Sequence, residues 1–279
     1  MGEEFTRKLV INGKARSTHE NYLRQIAKLS LHYGRTPLEL EVSELEEYLY
    51  HLIQRDTDSM SSFKHLVYGL RKLYLLFDKE GLWLSLPAIK RPNKLPVVLS
   101  QQEVKRLLKA PGRMMEKVMF GLAYDTGLRM NELTNLLVAD VDLDRCQVHV
   151  RQSKNKKDRY IPMSGHAARG IKKHVSLNAP RDYLFESPVR KGMPISKTRV
   201  NTLLKEAVAK AGIKKETCVH TLRHTYATHQ LEAGQSIIVL KELLGHALIT
   251  TTMIYLHIAR LSPVKKFGCM EALYGSTGK

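Results

Sequence analysis

The residues best suited to chemistry lie between His220 and Tyr255. His220 and Arg223 are three positions apart, so a helix would place both on one face, where they could contact one ligand together. A guanidinium binds phosphate oxygens, and an imidazole beside it can donate a proton near neutral pH. His246 follows Gly245, which is typical of a helix C-cap and would place the imidazole at a backbone turn. This segment therefore predicts a site for a phosphate group.

Tyr255 follows a run of threonines, of which Thr251 and Thr252 would be its helical neighbours at i−4 and i−3. We expect a tyrosine placed beside hydroxyls rather than among aliphatic side chains to have a free phenol. An isolated HxxR pair, or a single tyrosine in an apolar helix, more often has a packing role. The ordered combination of these residues is difficult to explain by packing alone.

These residues together resemble the tyrosine recombinase family of the phage-integrase type. The family's second box reads H-x-L-R-H-T-x-A-T-H, followed by L-G-H and a tyrosine nine residues later, and the chain has this order from His220 to Tyr255. The first box, T-G-L-R-x-x-E-L, is similar to residues 126–133, and a basic hairpin ending in R-x-(I/V)-P is similar to residues 154–162. The motifs cover residues 97–260, and the amino-terminal segment matches by general layout only.

The resemblance implies how a DNA strand would be cut. Tyr255 would attack the scissile phosphorus, forming a covalent 3′-phosphotyrosyl bond and releasing a 5′-hydroxyl. Arg129 and Arg223 would bind the non-bridging oxygens, for which a planar guanidinium is better suited than a lysine. Lys154 aligns with the hairpin lysine and would protonate the leaving oxygen. The same loop contains two alternative lysines, Lys156 and Lys157.

The remaining motif residues are expected to assist. His220 would help proton transfer at the tyrosine, and His246 would bind the phosphate or orient the phenol. Glu132 matches the acid of the first box and is expected to support an arginine. His224 and His229 are expected to be structural, although they lie close in sequence.

A metal-dependent route to phosphodiester cleavage would instead need clustered carboxylates. The nearest candidates, Asp140, Asp142 and Asp144, alternate in a strand-like segment, a spacing more typical of a polar strand edge or turn. The tyrosine route needs neither a metal nor ATP, because the tyrosyl bond conserves the energy for rejoining. We therefore expect no cofactor and no metal.

Composition independently predicts a polyanion as partner. Lys and Arg number 45 against 27 acidic residues, which gives a formal net charge of +18 and a pI near 9.8. Such a field attracts double-stranded DNA, although RNA or an anionic membrane surface would satisfy the charge alone. No apolar run of spanning length and no signal pattern is found, so no membrane partner is expected. The cysteines are odd in number and widely spaced, at Cys146, Cys218 and Cys269. This pattern predicts neither disulfides nor a zinc site. We therefore expect a cytoplasmic, nucleoid-associated protein.

The pattern along the chain predicts a mainly α fold. Residues 1–86 form a small helical core-binding domain in this interpretation, with capping boxes at Ser17 and Ser43 and a third helix over residues 59–79. A set of basic residues in and just before its second helix region is predicted to lie along DNA phosphates. These residues are Lys14, Arg16, Arg24 and Lys28. Residues 87–98 form a basic, proline-containing linker, which either follows the duplex or is simply extended.

Residues 99–260 are predicted to form a mostly helical catalytic domain. Ser100 and Glu103 have the spacing of a capping box, and residues 141–163 change to the alternating pattern of a small antiparallel β-sheet. Residues 261–279 form a tail with apolar positions at helical spacing, expected to dock on a neighbouring subunit, with docking on its own domain as the alternative.

The resemblance further implies strand exchange between two DNA recombination sites, catalysed by a homo-tetramer through a four-way junction. Two alternatives stay open. A type IB topoisomerase-like or telomere-resolving enzyme would use the same tyrosine chemistry on a single duplex or at its ends. A catalytically silent DNA-binding protein on the same fold is the other, and the presence of every motif residue argues against it.

Overall fold

The computed structural model describes residues 2–13, 16–54, 59–79, 81–82, 86–87, 95–151 and 158–260. The chain divides into two compact units, Met1–Asn93 and Lys94–Lys279. In the described residues helices dominate and the strands form one three-stranded sheet, so the predicted mainly α fold with a small antiparallel sheet is confirmed. Among those same residues, no helix combines the length and apolar character needed to cross a membrane.

The amino-terminal unit is helical in its described part. Its helices are α1 (Gly2–Ile11), α2 (Arg16–Tyr33), α3 (Val42–Gln54) and α4 (Ser59–Leu76). Their apolar faces meet in one core, with α2 packed chiefly on α4. Fully buried members of this core include Phe5, Leu29, Leu45, Leu70 and Tyr74. The apolar faces of these helices therefore form the interior of this unit.

The helix starts in this unit differ from the prediction. Helix α2 already includes Ser17, and α3 begins at Val42, before Ser43, so the two predicted capping boxes are wrong. Glu44 explains the second difference, because its carboxylate accepts the backbone N–H of Glu41 at 2.9 Å and so caps the helix from an earlier position. Helix α1 was missed, because only Phe5 and Leu9 of its ten residues are buried.

The second unit contains the remaining elements. Its helices are α5 (Gln101–Lys109), α6 (Met114–Thr126), α7 (Met130–Thr134), α8 (Gly165–Asn178), α9 (Lys197–Lys210), α10 (Val219–Glu232), α11 (Ile237–Leu244) and α12 (Thr250–Met253), with a 3₁₀ turn at Val138–Asp140. The predicted capping box of α5 is confirmed, since Ser100 Oγ accepts from Glu103 N at 3.2 Å and the Glu103 carboxylate accepts from Ser100 N at 2.7 Å. A core of aliphatic and aromatic side chains joins these helices to the sheet.

The sheet consists of β1 (Val141–Asp142), β2 (Gln147–Val150) and β3 (Arg159–Pro162), antiparallel in the order β1-β2-β3. Val148 pairs with Ile161, and both are fully buried. Because side chains alternate along a strand, Tyr160, which precedes Ile161 on β3, faces outward and is exposed. Residues 152–157 lie between β2 and β3 in sequence and outside the described residues. The predicted general acid, Lys154, therefore lies outside the described residues, as do Lys14, residues 88–94 of the linker and the tail of residues 261–279.

Candidate active site

Arg129 is positioned by the sharp end of α6. Gly127 caps this helix with a φ of +62°, a backbone conformation that favours glycine. A Cβ at this position would lie 2.4 Å from Cδ1 of Tyr226, so the close approach of α10 also requires glycine. The chain then turns into α7, and the backbone N–H of Arg129 donates to the Glu132 carboxylate at 2.9 Å.

Arg223 lies on α10 and is only 3% exposed. Its Nη1 donates to the carbonyl of Gly127 and its Nη2 to that of Leu244, each at 2.7 Å. The guanidinium thus satisfies the carbonyls at the ends of α6 and α11, which helices leave unpaired. Burial, and after it the charge of Arg129, lowers the pKa of Arg223 to about 10, so the group stays charged at neutral pH.

His246 follows Gly245, which caps α11 with a φ of +63°, so the predicted C-cap is confirmed. Its Nε2 lies 3.0 Å from Arg223 Nη2, and its Nδ1 lies 2.9 Å from Thr252 Oγ1. A guanidinium only donates, so Nε2 accepts and Nδ1 carries the proton towards the threonine. Burial and the nearby arginines lower the pKa of His246 to about 4. This imidazole therefore holds Arg223, and not the phenol, in the present structure.

Glu132 joins two arginines. Its carboxylate accepts from Arg129 Nη1 at 2.9 Å and from Arg159 Nη1 and Nη2 at 3.1 and 2.8 Å, which confirms the predicted support of an arginine. Burial alone raises a carboxyl pKa, but the hydrogen bonds and charge of Arg159, with those of Arg129, outweigh it and lower the pKa of Glu132 to about 2. The sequence identified Arg159 only as the hairpin arginine. It also donates from Nε to the carbonyl of Leu243 at 2.8 Å.

Tyr255 is 2% exposed, and its hydroxyl lies 2.9 Å from Nδ1 of His224. The prediction of a free phenol is therefore wrong. Helix α12 ends at Met253, and the turn that follows directs the ring into an apolar cluster with Tyr226 and Leu244. Burial raises the pKa of the Tyr255 phenol, and the positive charge of Arg223 offsets part of this effect.

His224 was expected to be structural, and the structure places it in contact with the one hydroxyl that the motifs single out. His220, which was expected to serve the tyrosine, is exposed, and its ring centroid lies 6.1 Å from that of His224 in an edge-on arrangement. The sequence signals for His224 were its place in the second box, directly after Arg223, and its i+4 spacing from His220. His229 Nδ1 lies 2.9 Å from the hydroxyl of Tyr124, and its structural role stays a prediction.

Two of the three carboxylates considered for a metal, Asp140 and Asp142, have separate partners. Asp140 accepts from Arg151 Nε at 2.5 Å and from the backbone N–H of Leu137 at 3.1 Å, while Asp142 accepts from the backbone N–H of Arg145 at 2.9 Å. Within the part of the chain that is described, no group of three or more His, Cys, Asp or Glu side chains is arranged to hold a metal ion. These acids stabilise turns around the sheet.

Five of the predicted site residues thus lie at one place in the second unit, where α10, α11 and the start of α7 meet. They are Arg129, His220, Arg223, His246 and Tyr255. A second guanidinium contact supports this convergence, because Arg129 Nη2 donates to the carbonyl of Gly245 at 3.0 Å. Together with His224, which contacts Tyr255, the five residues provide two cations, three imidazoles and one phenol, which is a set of groups suited to phosphoryl transfer to a tyrosine.

Comparison with protein families matches residues 97–261 to the phage integrase family and residues 2–80 to the phage integrase N-terminal SAM-like domain. A tyrosine recombinase of Thermosipho africanus is 32% identical over 265 residues, covering 90% of this chain and 93% of its own length. The tyrosine recombinase XerA of Thermococcus kodakarensis is 36% identical over 259 residues, covering 91% and 89%.

Solved structures give the same likeness. The crystal structure of XerA recombinase matches with a TM-score of 0.55 and 27% identity over 100% of this chain and 98% of its own. The XerH site-specific recombinase bound to its difH substrate matches with a TM-score of 0.70 over 87% of this chain and 76% of its own. At 20% identity, this second likeness is one of fold alone.

Proposed function

Because the chain belongs to the phage integrase family of tyrosine recombinases, we propose that it cuts and rejoins DNA strands through a covalent phosphotyrosyl bond at Tyr255. The observation that carries this proposal is the convergence of Arg129 and Arg223 on a single buried phenol, where burial raises the phenol pKa and the two guanidinium charges offset part of that rise. Two fixed cations beside a hydroxyl nucleophile are what an in-line attack on a phosphodiester requires.

In the proposed reaction the Tyr255 oxygen attacks the scissile phosphorus. The new O–P bond is a 3′-phosphotyrosyl link, and the broken P–O bond releases a 5′-hydroxyl. That leaving oxygen takes a proton, which we assign to Lys154, with Lys156 and Lys157 as alternatives in the same loop. Attack by the 5′-hydroxyl of a partner strand reverses the step, so rejoining needs no ATP.

The arginines are held in place before any phosphate arrives. Arg223 donates N–H groups to the carbonyls of Gly127 and Leu244 and to His246. A guanidinium has five N–H donors, so others can bind a phosphate. Arg129 is fixed in the same way by Glu132 and Gly245. Preorganised donors of this kind stabilise the transition state without a cost of reorganisation during the reaction.

Two histidines complete the proposed site. His246 keeps Arg223 in position through its Nε2. Partial burial, and after it the charges of Arg223 and Arg129, lowers the pKa of the His220 imidazole. We assign it to the phosphate or to proton transfer near the tyrosine. A phosphate bound between the two arginines would lie close to the His220 imidazole.

The proposed partners are two double-stranded DNA recombination sites held by a homo-tetramer, with residues 1–86 as a DNA-binding core-binding domain, residues 99–260 as the catalytic domain and the tail of residues 261–279 docked on a neighbouring subunit. The net charge of +18 supports DNA as partner, because each neutralised phosphate releases counterions. Action on chromosomal DNA would place the protein in the cytoplasm at the nucleoid.

A two-site plasmid assay tests the proposal. Supercoiled DNA carrying two copies of the native flanking sequence is incubated with the protein in excess EDTA, and the junctions are sequenced. Exchanged junctions are expected, since Arg129, Arg223 and Lys154 supply the positive charge and the proton. Relaxed plasmid without exchange would indicate a topoisomerase-like enzyme, closed hairpin ends a telomere resolvase, and retained binding without any cleavage a silent DNA-binding protein.

A further inference from the structure

The nucleophilic hydroxyl has a specific partner that the proposed reaction does not yet use. Nδ1 of His224 lies 2.9 Å from the Tyr255 oxygen, within the range for proton transfer along a hydrogen bond. The two rings are tilted by 49° with centroids 5.7 Å apart. His224 is on α10, directly after Arg223, so one helix carries both the phosphate-binding cation and the group that contacts the phenol.

The phenol loses its proton when it attacks phosphorus, and a proton acceptor must be within reach of its oxygen. His246 directs its accepting nitrogen at Arg223 and its N–H at Thr252, so it is engaged elsewhere. Arg223 and Arg129 are cations that only donate. Of the imidazoles in the site, His224 is the one with a nitrogen at hydrogen-bond distance from the phenol.

We propose that His224 is a catalytic residue, the general base that accepts the Tyr255 proton at Nδ1 as the phenol oxygen bonds to phosphorus. The inference rests on the proposed function, in which Tyr255 is the nucleophile. The O–H electrons form the new O–P bond, the P–O5′ electrons leave with the 5′-oxygen, and that oxygen is protonated from the hairpin lysine. In rejoining, the protonated His224 returns its proton to the phenol as the O–P bond breaks.

The charges around His224 fit this role. Burial, and after it the charges of His220 and Arg223 on its own helix, lowers the pKa of His224 to about 4, so the imidazole is neutral at neutral pH and can accept a proton. His246 and Tyr255 face it from the segments after α11 and α12. A bound phosphate adds negative charge opposite Arg223, which raises the pKa of His224 and strengthens the base when substrate is present.

The test compares two histidines of the same helix. His224→Asn keeps an amide near the place of Nδ1 but cannot accept a proton, and His229→Asn removes an equivalent 2.9 Å contact, from a histidine Nδ1 to the hydroxyl of Tyr124. Cleavage is measured as covalent adduct formed on a nicked substrate in a single turnover. His224→Asn should be slower by about 10²–10⁴-fold, the usual contribution of a general base, whereas His229→Asn should match the wild type.

Two further readouts distinguish a base from a packing role. In His224→Asn the rate should rise in proportion to hydroxide concentration, because solvent must then ionise the phenol. A fluorinated tyrosine at position 255, whose phenol ionises more readily, should restore cleavage in His224→Asn and change the wild type less. If His224→Asn does not fold, His224→Gln takes its place. Its cleavage rate with tyrosine and with the fluorinated tyrosine is then compared with the two corresponding wild-type rates.

Cleavage by His224→Asn at the wild-type rate or faster would overturn the inference. It would show that the contact holds the tyrosine ring in place without taking part in proton transfer. A slow variant that neither hydroxide nor the fluorinated phenol accelerates would overturn it equally, as a structural effect. Tyr255→Phe separates these outcomes from the proposed function. If Tyr255→Phe still forms the adduct, Tyr255 is not the nucleophile and the proposed function fails. If Tyr255→Phe forms no adduct while His224→Asn cleaves at the wild-type rate, only the role of His224 as general base is refuted.

Discussion

Glu132→Gln removes the negative charge that binds Arg129 and Arg159. The carboxyl is 8% exposed, and its pKa of about 2 lies below the ordinary value of 4.5. A pKa difference of about 2.5 at about 1.4 kcal/mol for each unit corresponds to about 3–4 kcal/mol of folding stability. The cost of about 3–5 kcal/mol for removing one partner of a buried ion pair has the same size. We therefore expect Glu132→Gln to lower the free energy of unfolding by about 3–4 kcal/mol at neutral pH.

The pH dependence has a definite sign. A carboxyl whose pKa is lowered by folding stabilises the protein above its unfolded pKa, and this contribution is lost as the pH falls through the folded pKa. The difference between wild type and Glu132→Gln should therefore be complete above about pH 5 and shrink as the pH approaches about 2.

The free energy of unfolding is measured by urea denaturation, with hydrogen exchange at the amides of β2 and β3 as the signal. Those amides report on the second unit alone. Glu216→Gln is the matched control, since it removes the same charge from an exposed position and should leave stability unchanged. Equal stability of the two variants at neutral pH would refute the reasoning, and so would a deficit that stays constant down to about pH 3.

Three other expectations follow from the site. Gly127→Ala should lower stability by more than about 1 kcal/mol, because it combines a strained backbone with a clash against Tyr226; Gly212→Ala, at a φ of +64° with open space around it, should show the backbone cost alone in the same melting experiment. Lys154→Ala should cleave an ordinary strand slowly and recover when the leaving oxygen is replaced by sulfur, which departs without a proton; failure to recover in adduct assays would assign the general acid elsewhere. Truncation after Arg260 should leave binding to one site but abolish cooperative assembly in gel-shift titrations, and wild-type recombination by the truncated chain would contradict trans docking of the tail.

Features governed by local rules could be predicted from the sequence. The capping box at Ser100, the glycine caps at Gly127 and Gly245 and the alternation around Val148 each depend on residues within a few positions of one another. The start of α3 shows the limit of these rules. Both Glu44 and Glu46 have a candidate cap three residues upstream, and only the folded backbone selects Glu41 and Glu44 as the pair.

Contacts between distant residues could not be predicted. His224 and Tyr255 are 31 positions apart, and Arg159 and Glu132 are 27 apart, so their pairing depends on how α10, α12 and β3 pack together. The burial of Tyr255 has the same origin. Its threonine neighbours suggested a polar site, whereas the turn after α12 directs the ring towards Tyr226. Family motifs locate the reacting groups, and packing decides which of them touch.

Covalent trapping on a nicked suicide substrate tests the central claim that Tyr255 is the nucleophile. Wild-type protein and Tyr255→Phe are incubated with the substrate and separated on a denaturing gel, with DNA affinity measured in parallel. We expect the wild type to form a protein–DNA adduct and Tyr255→Phe to form none while binding DNA equally well, because only one hydroxyl has been removed. An adduct formed by Tyr255→Phe would contradict the account.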